Sequence, residues 1–152
     1  MIEQRLKELK IELPDVAPTV ANFLPYVQTG NLLFVSGQVP FTDDGKLLSG
    51  SVGDDFTVEE ATEIARRITI TLLAVVKLAL GDLDKVVRVV KINGSVNAYP
   101  GFKAHPAVIN GCSNLLVEVF GEKGRHARAA VGVESLPGNV PVELEGVFEV
   151  AS

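Results

Sequence analysis

Cysteine, methionine and tryptophan are nearly absent: one, one and none in 152 residues, with aromatics at 6%. The single Cys112 excludes an intrachain disulfide framework and any zinc site built on several cysteines. Only two histidines occur. A whole predicted helix separates His105 from His126, so they offer no metal-ligand spacing. No apolar run approaches the roughly 20 residues that a membrane-crossing helix needs. The glycine patterns "SGQV" and "GNVP" match neither a dinucleotide fingerprint nor a phosphate loop. No Ser-His-Asp arrangement is supported by local spacing. Repeats and low-complexity tracts are missing as well.

Positive charge is also short. Fourteen Lys and Arg face nineteen Asp and Glu, for a net charge of −5. A field of that sign opposes nucleic-acid binding, which draws on phosphate neutralisation. The first residues, "MIEQRLKELKIELP", carry acids and no apolar core of a secretory signal, so a cytoplasmic location is expected. What the chain has in abundance is apolar residues, 47% of the total. One soluble domain over 1–152, with apolar surface to spare for self-association, is the expectation.

The patterning predicts a short initial helix with Ile2, Leu6 and Leu9 on one side, ended by Pro14. "PYVQTGNLLFVSGQV" reads as two strands around a turn at Thr29-Gly30-Asn31. "TVEE" has the form of a capping box, in which Thr57 and Glu60 satisfy each other's free amides. Ala61, Ile64, Ala65, Ile68, Leu72, Val75, Val76 and Ala79 follow at helical spacing. Gly81 sits where a helix C-cap belongs. "KVVRVVKINGSV" is a third strand. A second long helix starts near Pro106 and carries Val108, Ile109, Cys112, Leu115, Leu116, Val119 and Phe120 on one face. "ARAAVGVESL" and "VPVELEGVFEV" are strands joined by "PGN", read as a hairpin-like turn. The order ββαβαββ predicts an α+β fold, one sheet with two helices packed on one face. The other face is left to water or to another subunit.

Arg128 alternates with Ala127 and Ala129, which leave room beside it. A guanidinium there can grip a carboxylate through two parallel hydrogen bonds, or stand as a strand-entry cation in water or in an ion pair. Lys123, Arg125 and His126 read as solvated loop residues. They lack the interleaved aromatics of a nucleic-acid surface. Glu143 and Glu145 share a face of the last strand. They form either a solvated polar face or a place where a carboxylate holds or protonates a water. Cys112 lies on an apolar stripe and reads as a small buried hydrophobe.

"PYVQTGNLLFVSGQVP" and "ARAAVGVESLPGNVPVELEGV", with "TVEEATEIARRITITLLAVV" and "GDLDKVVRVVKINGSV" between them, resemble the Rid family. These are the reactive intermediate deaminases, also called the YjgF or endoribonuclease L-PSP family. The resemblance spans Pro18 to Val150. It implies a chorismate-mutase-like mixed sheet with two helices on one face, assembled as a homotrimer with ligand clefts between subunits. It also implies hydrolysis of 2-imino or 2-enamino acids to 2-oxo acids and ammonia, with no metal or organic cofactor. On this resemblance Arg128 grips the substrate carboxylate and Glu143 positions water. Tyr26 lines the cleft, Ser36 and Gly37 form its floor, Asn110 joins it from the second helix, and backbone near Ala130 holds the imine region. Ala130 stands where many members have a cysteine. The chain is longer than the compact members, with an N-terminal extension over 1–16 and the stretch "NGCSNLLVEVFGEKGRHAR", as in a divergent subgroup. Two other readings stay open: a non-catalytic trimer that binds small carboxylates, and an endoribonuclease. Expected partners are a 2-imino or 2-oxo acid and further copies of the chain, with no membrane and no nucleic acid.

Overall fold

The structure, a computed structural model, describes residues 1–19 and 21–152. A short helix α1 (Ile2–Glu8) opens the chain. It ends well before Pro14, in a turn where Lys10 takes a left-handed backbone. Then follow β1 (Tyr26–Thr29), β2 (Leu32–Gln38), α2 (Val58–Leu80), β3 (Val86–Asn97), α3 (His105–Phe120), β4 (Ala127–Val133) and β5 (Val142–Val150). The architecture of the described residues is α+β: three α-helices and one mixed five-stranded sheet in the order β1-β2-β5-β3-β4.

Helix α2 starts as its sequence dictates. The Thr57 hydroxyl accepts from the Glu60 amide at 3.1 Å, and the Glu60 carboxylate accepts from the Thr57 amide at 3.0 Å. Its apolar stripe, from Ala61 through Val76, is buried against the sheet and α3. The two long helices cross closely at Gly111. A Cβ there would collide with the backbone carbonyl oxygen of Thr62. Val142, Leu144, Gly146, Phe148 and Val150 of β5 are all buried on the helix side, which makes β5 a central strand. Helix α1 docks beside α3, where Leu6 is buried and the Arg5 Nε donates to the Glu118 carbonyl at 2.7 Å.

One expectation fails here. The last two strands are not a hairpin. β4 pairs with β3 in parallel, and β5 pairs with β3 antiparallel on its other side. The reason is a β3-α3-β4 crossover, which a helix between two strands demands when they pair in parallel. The short Pro137–Asn139 turn then carries the chain across the end of β3. Asn97, the last residue of β3, secures that crossing. Its side-chain amide donates to the Asn139 Oδ1 at 2.9 Å and to the Val140 carbonyl at 3.2 Å. Arg128 and Glu143 therefore lie on strands separated by β3.

Candidate active site

Two groups of side chains emerge, one on each face of the sheet. The first is built on β4, an edge strand. Arg128 pairs with Ile92, a core residue of β3, so its side chain leaves on the helix-bearing side. There it meets α3. Asn110 and Ser113 are three residues apart and so present one face of that helix. The Arg128 Nη1 donates to the Asn110 Oδ1 at 2.7 Å and to the Ser113 Oγ at 3.3 Å. Among the described residues no carboxylate pairs with this half-buried cation, and its Nε and Nη2 have no partner. Those two nitrogens form one edge of the guanidinium, the edge that fits a carboxylate through two parallel bonds. Ala130, two residues on, sits on the same face, opposite Gly94.

His126 extends this group. It is half-buried, with Nδ1 2.6 Å from the Gly124 carbonyl and Nε2 2.9 Å from the Ser113 Oγ. Burial holds its pKa below the ordinary histidine value. The Gly124 hydrogen bond works against that and the nearby Arg128 charge works with it. The expectation of a solvated loop histidine is corrected: alternation along the strand places residue 126 on the side of residue 128. Arg125 does face solvent, 3.6 Å from Glu122, and its carbonyl accepts from Arg88 at 2.8 Å.

The second group lies on the open face, where β2 meets β5. The pairing slips between Val35 and Gln38, so Ser36 and Gly37 form a bulge opposite Glu145. Gly37 leaves room for the carboxylate there: a Cβ would come 2.5 Å from the Glu143 Oε1 and make that side chain shift. The Glu143 carboxylate has no hydrogen-bond donor among the described residues. Burial raises its pKa, and the neighbouring Glu145 charge raises it further. Glu145 itself accepts from the Asn93 amide at 3.1 Å. A cavity of about 340 Å³ opens beside these residues, lined by Val27, Phe34, Ser36, Lys91, Asn93 and Glu145 among others.

Tyr26 and Cys112 separate from both groups, and Ser36 has a second contact. The Ser36 hydroxyl donates to the Leu24 carbonyl at 2.6 Å, so it secures the entry to β1. Tyr26 is half-buried on β1 at the far edge of the sheet. Four strand spacings, about 19 Å, divide it from β4. Cys112 points into the core, and burial pushes its pKa to about 11, which keeps it a thiol. Within one chain the structure thus brings Arg128 to Asn110 and Glu143 to Gly37. It does not bring Arg128 to Glu143 or to Tyr26.

A family profile described as "YjgF/chorismate_mutase-like, putative endoribonuclease" matches residues 3–146. The chain belongs to this YjgF/chorismate-mutase-like family. Relatives within it span nearly the whole chain. Protein TCP17 of Trypanosoma cruzi is 43% identical over 150 residues, covering 98% of this chain and 94% of its own. The solved structure of protein Atu1372 of Agrobacterium tumefaciens, whose function is unknown, is 48% identical. It superposes with a TM-score of 0.89, over 99% of this chain and 92% of that one. RidA of an Antarctic Psychrobacter is 26% identical with a TM-score of 0.62, over 90% and 94% of the two chains. The fold is shared with both solved structures, and the backbone lies nearer to Atu1372 than to RidA.

Proposed function

We propose that this protein hydrolyses reactive 2-imino and 2-enamino acids to 2-oxo acids and ammonia, in clefts between the subunits of a homotrimer. The observation that carries this reading is Arg128. A half-buried cation without an acidic partner among the described residues leaves open the edge that fits a carboxylate. Asn110 fixes that edge in advance, so little orientation remains to be lost when the ligand binds.

The rest of the step falls to Glu143. A carboxylate with a raised pKa sits closer to neutrality than an ordinary glutamate, which suits proton exchange with water. Ionised Glu143 takes a proton as a water oxygen bonds to the imine carbon and the C=N electron pair moves to nitrogen. Nitrogen gains two protons over the step, one from Glu143 and one from the new hydroxyl through solvent. The C–N bond then breaks, ammonia leaves, and the carbon–oxygen double bond forms. Imines hydrolyse in water unaided, so orientation of the water and the carboxylate is the main requirement. Arg128 and Glu143 occupy opposite sheet faces of one copy, which favours a cleft that takes the arginine from one subunit and the glutamate from another. On this reading Tyr26, Ser36, Gly37 and the backbone at Ala130 line the same cleft.

The test is a coupled assay that generates imino acids in situ. Arg128→Ala should lose about 30-fold or more in kcat/KM, the lower end of about 2–5 kcal/mol for removing one partner of a desolvated charge pair. Unchanged acceleration would refute the role of Arg128. Binding of 2-oxobutanoate without any acceleration by the wild type would instead make the protein a carboxylate binder. The endoribonuclease in the family description is the remaining reading. RNA cleavage that survives rising salt and disappears in Arg128→Ala would favour it.

A further inference from the structure

The partners of His126 fix its hydrogens. The Gly124 carbonyl can only accept, so Nδ1 carries a proton, and in the neutral imidazole Nε2 then presents a lone pair. The Ser113 hydroxyl, 2.9 Å away, must then donate to Nε2. That leaves the Ser113 oxygen as acceptor for the Arg128 Nη1. Every bond in the chain Arg128, Ser113, His126, Gly124 points the same way. With Asn110 as a second acceptor, both hydrogens of Nη1 are committed. The guanidinium plane is thereby fixed and the Nε–Nη2 edge is turned outward.

We infer that His126 is a positioning residue, which as neutral imidazole holds the Ser113 hydroxyl and through it orients the carboxylate-gripping edge of Arg128. The inference rests on the carboxylate-binding role of Arg128 proposed above. Protonation at Nε2 reverses the chain: the imidazolium donates to Ser113, whose hydroxyl must turn to another acceptor. It also sets a second positive charge next to Arg128. The charged groups around His126 are Arg128 on β4, Arg88 on β3, reaching the Arg125 carbonyl, and Lys123, Glu122 and Arg125 in the preceding turn. Cys112 on α3 stays a thiol. No carboxylate among the described residues contacts the imidazole to favour its charged form. Burial favours its neutral form.

Calorimetric binding of 2-oxobutanoate, ionised throughout, tests this between about pH 5 and pH 8. The wild type should bind more weakly as the pH falls through the His126 titration. His126→Gln keeps an acceptor near Nε2 but cannot titrate, so its affinity should stay near the neutral wild-type value across the range. His126→Leu should bind about tenfold more weakly at neutral pH, and the Ser113→Ala change should cost little more in its presence. In turnover, the loss should appear in KM rather than kcat. Wild-type affinity in His126→Leu would overturn the inference. So would binding that strengthens on acidification in wild type but not in His126→Gln, which would make His126 a mere anion attractor. Arg128→Ala separates the two levels. If it too binds normally, the underlying carboxylate grip is wrong; if it alone loses binding, only the role of His126 is.

Discussion

At the residue scale the two charged groups differ in how much neutral neighbours support them. Arg128 is held by two oxygens on one side and open on the other. Glu143 has no donor among the described residues and is opposed by Glu145. Its folded pKa is raised, so the folded state holds the Glu143 proton more tightly than the unfolded chain. The stability it contributes is present below the unfolded pKa and is lost as pH rises through the folded one. Glu143→Gln never ionises and escapes that loss. Its urea midpoint should match the wild type near about pH 3 and exceed it near about pH 7.5, while imine hydrolysis is lost. A midpoint below the wild type at neutral pH would mean that ionised Glu143 is stabilised by a partner. The arginine and the glutamate were both legible in the sequence from alternation and from the paired end motifs. Ser113 and His126 were not, because their part depends on how α3 is rotated over β4. Only the i, i+3 spacing of Asn110 and Ser113 and the i, i+2 spacing of His126 and Arg128 hinted at it.

At the element scale, helix limits follow from local chemistry, and the capping box at Thr57 was readable as such. Strand adjacency was harder. A three-residue turn between two strand-like runs resembles a hairpin, yet β5 carries five buried positions and needs neighbours on both sides, while β4, rich in alanine, serves as an edge. The α2–α3 crossing is another contact that no local pattern announces. On an exposed helix, replacing glycine by alanine favours the helix by about 1 kcal/mol. At Gly111 the sign should reverse, because the new Cβ meets the Thr62 carbonyl and the helices must part. Overpacking of this kind costs about 1–3 kcal/mol. Gly111→Ala should therefore lower the urea midpoint at unchanged slope; a higher midpoint would show that the crossing relaxes freely.

At the scale of the whole molecule, the sheet is unequally covered. One face carries α2 and α3. The other presents Phe34 and Val27 at the cavity beside Glu145 and Val131 on the edge strand β4, each between 44% and 51% exposed. Association through that face would bury apolar surface. An association that also set the β4 edge of one copy against the open face of the next would supply what a single copy lacks, since the arginine and glutamate groups face opposite ways. No helix among the described residues is long and apolar enough to cross a membrane. A pairing of unlike half-sites makes a distinctive demand on mixtures of inactive chains. Arg128→Ala retains the glutamate half, and Glu143→Gln retains the arginine half. Denatured together in equal amounts and refolded, they should assemble at random. An interface then receives the intact arginine from one side and the intact glutamate from the other one time in four, so about a quarter of wild-type imine hydrolysis should return. Each variant refolded alone should stay inactive. If both halves came from one copy, every chain in the mixture would carry a broken site and nothing would return. The recovered fraction, measured in the coupled assay, therefore decides whether catalysis belongs to the chain or to the assembly.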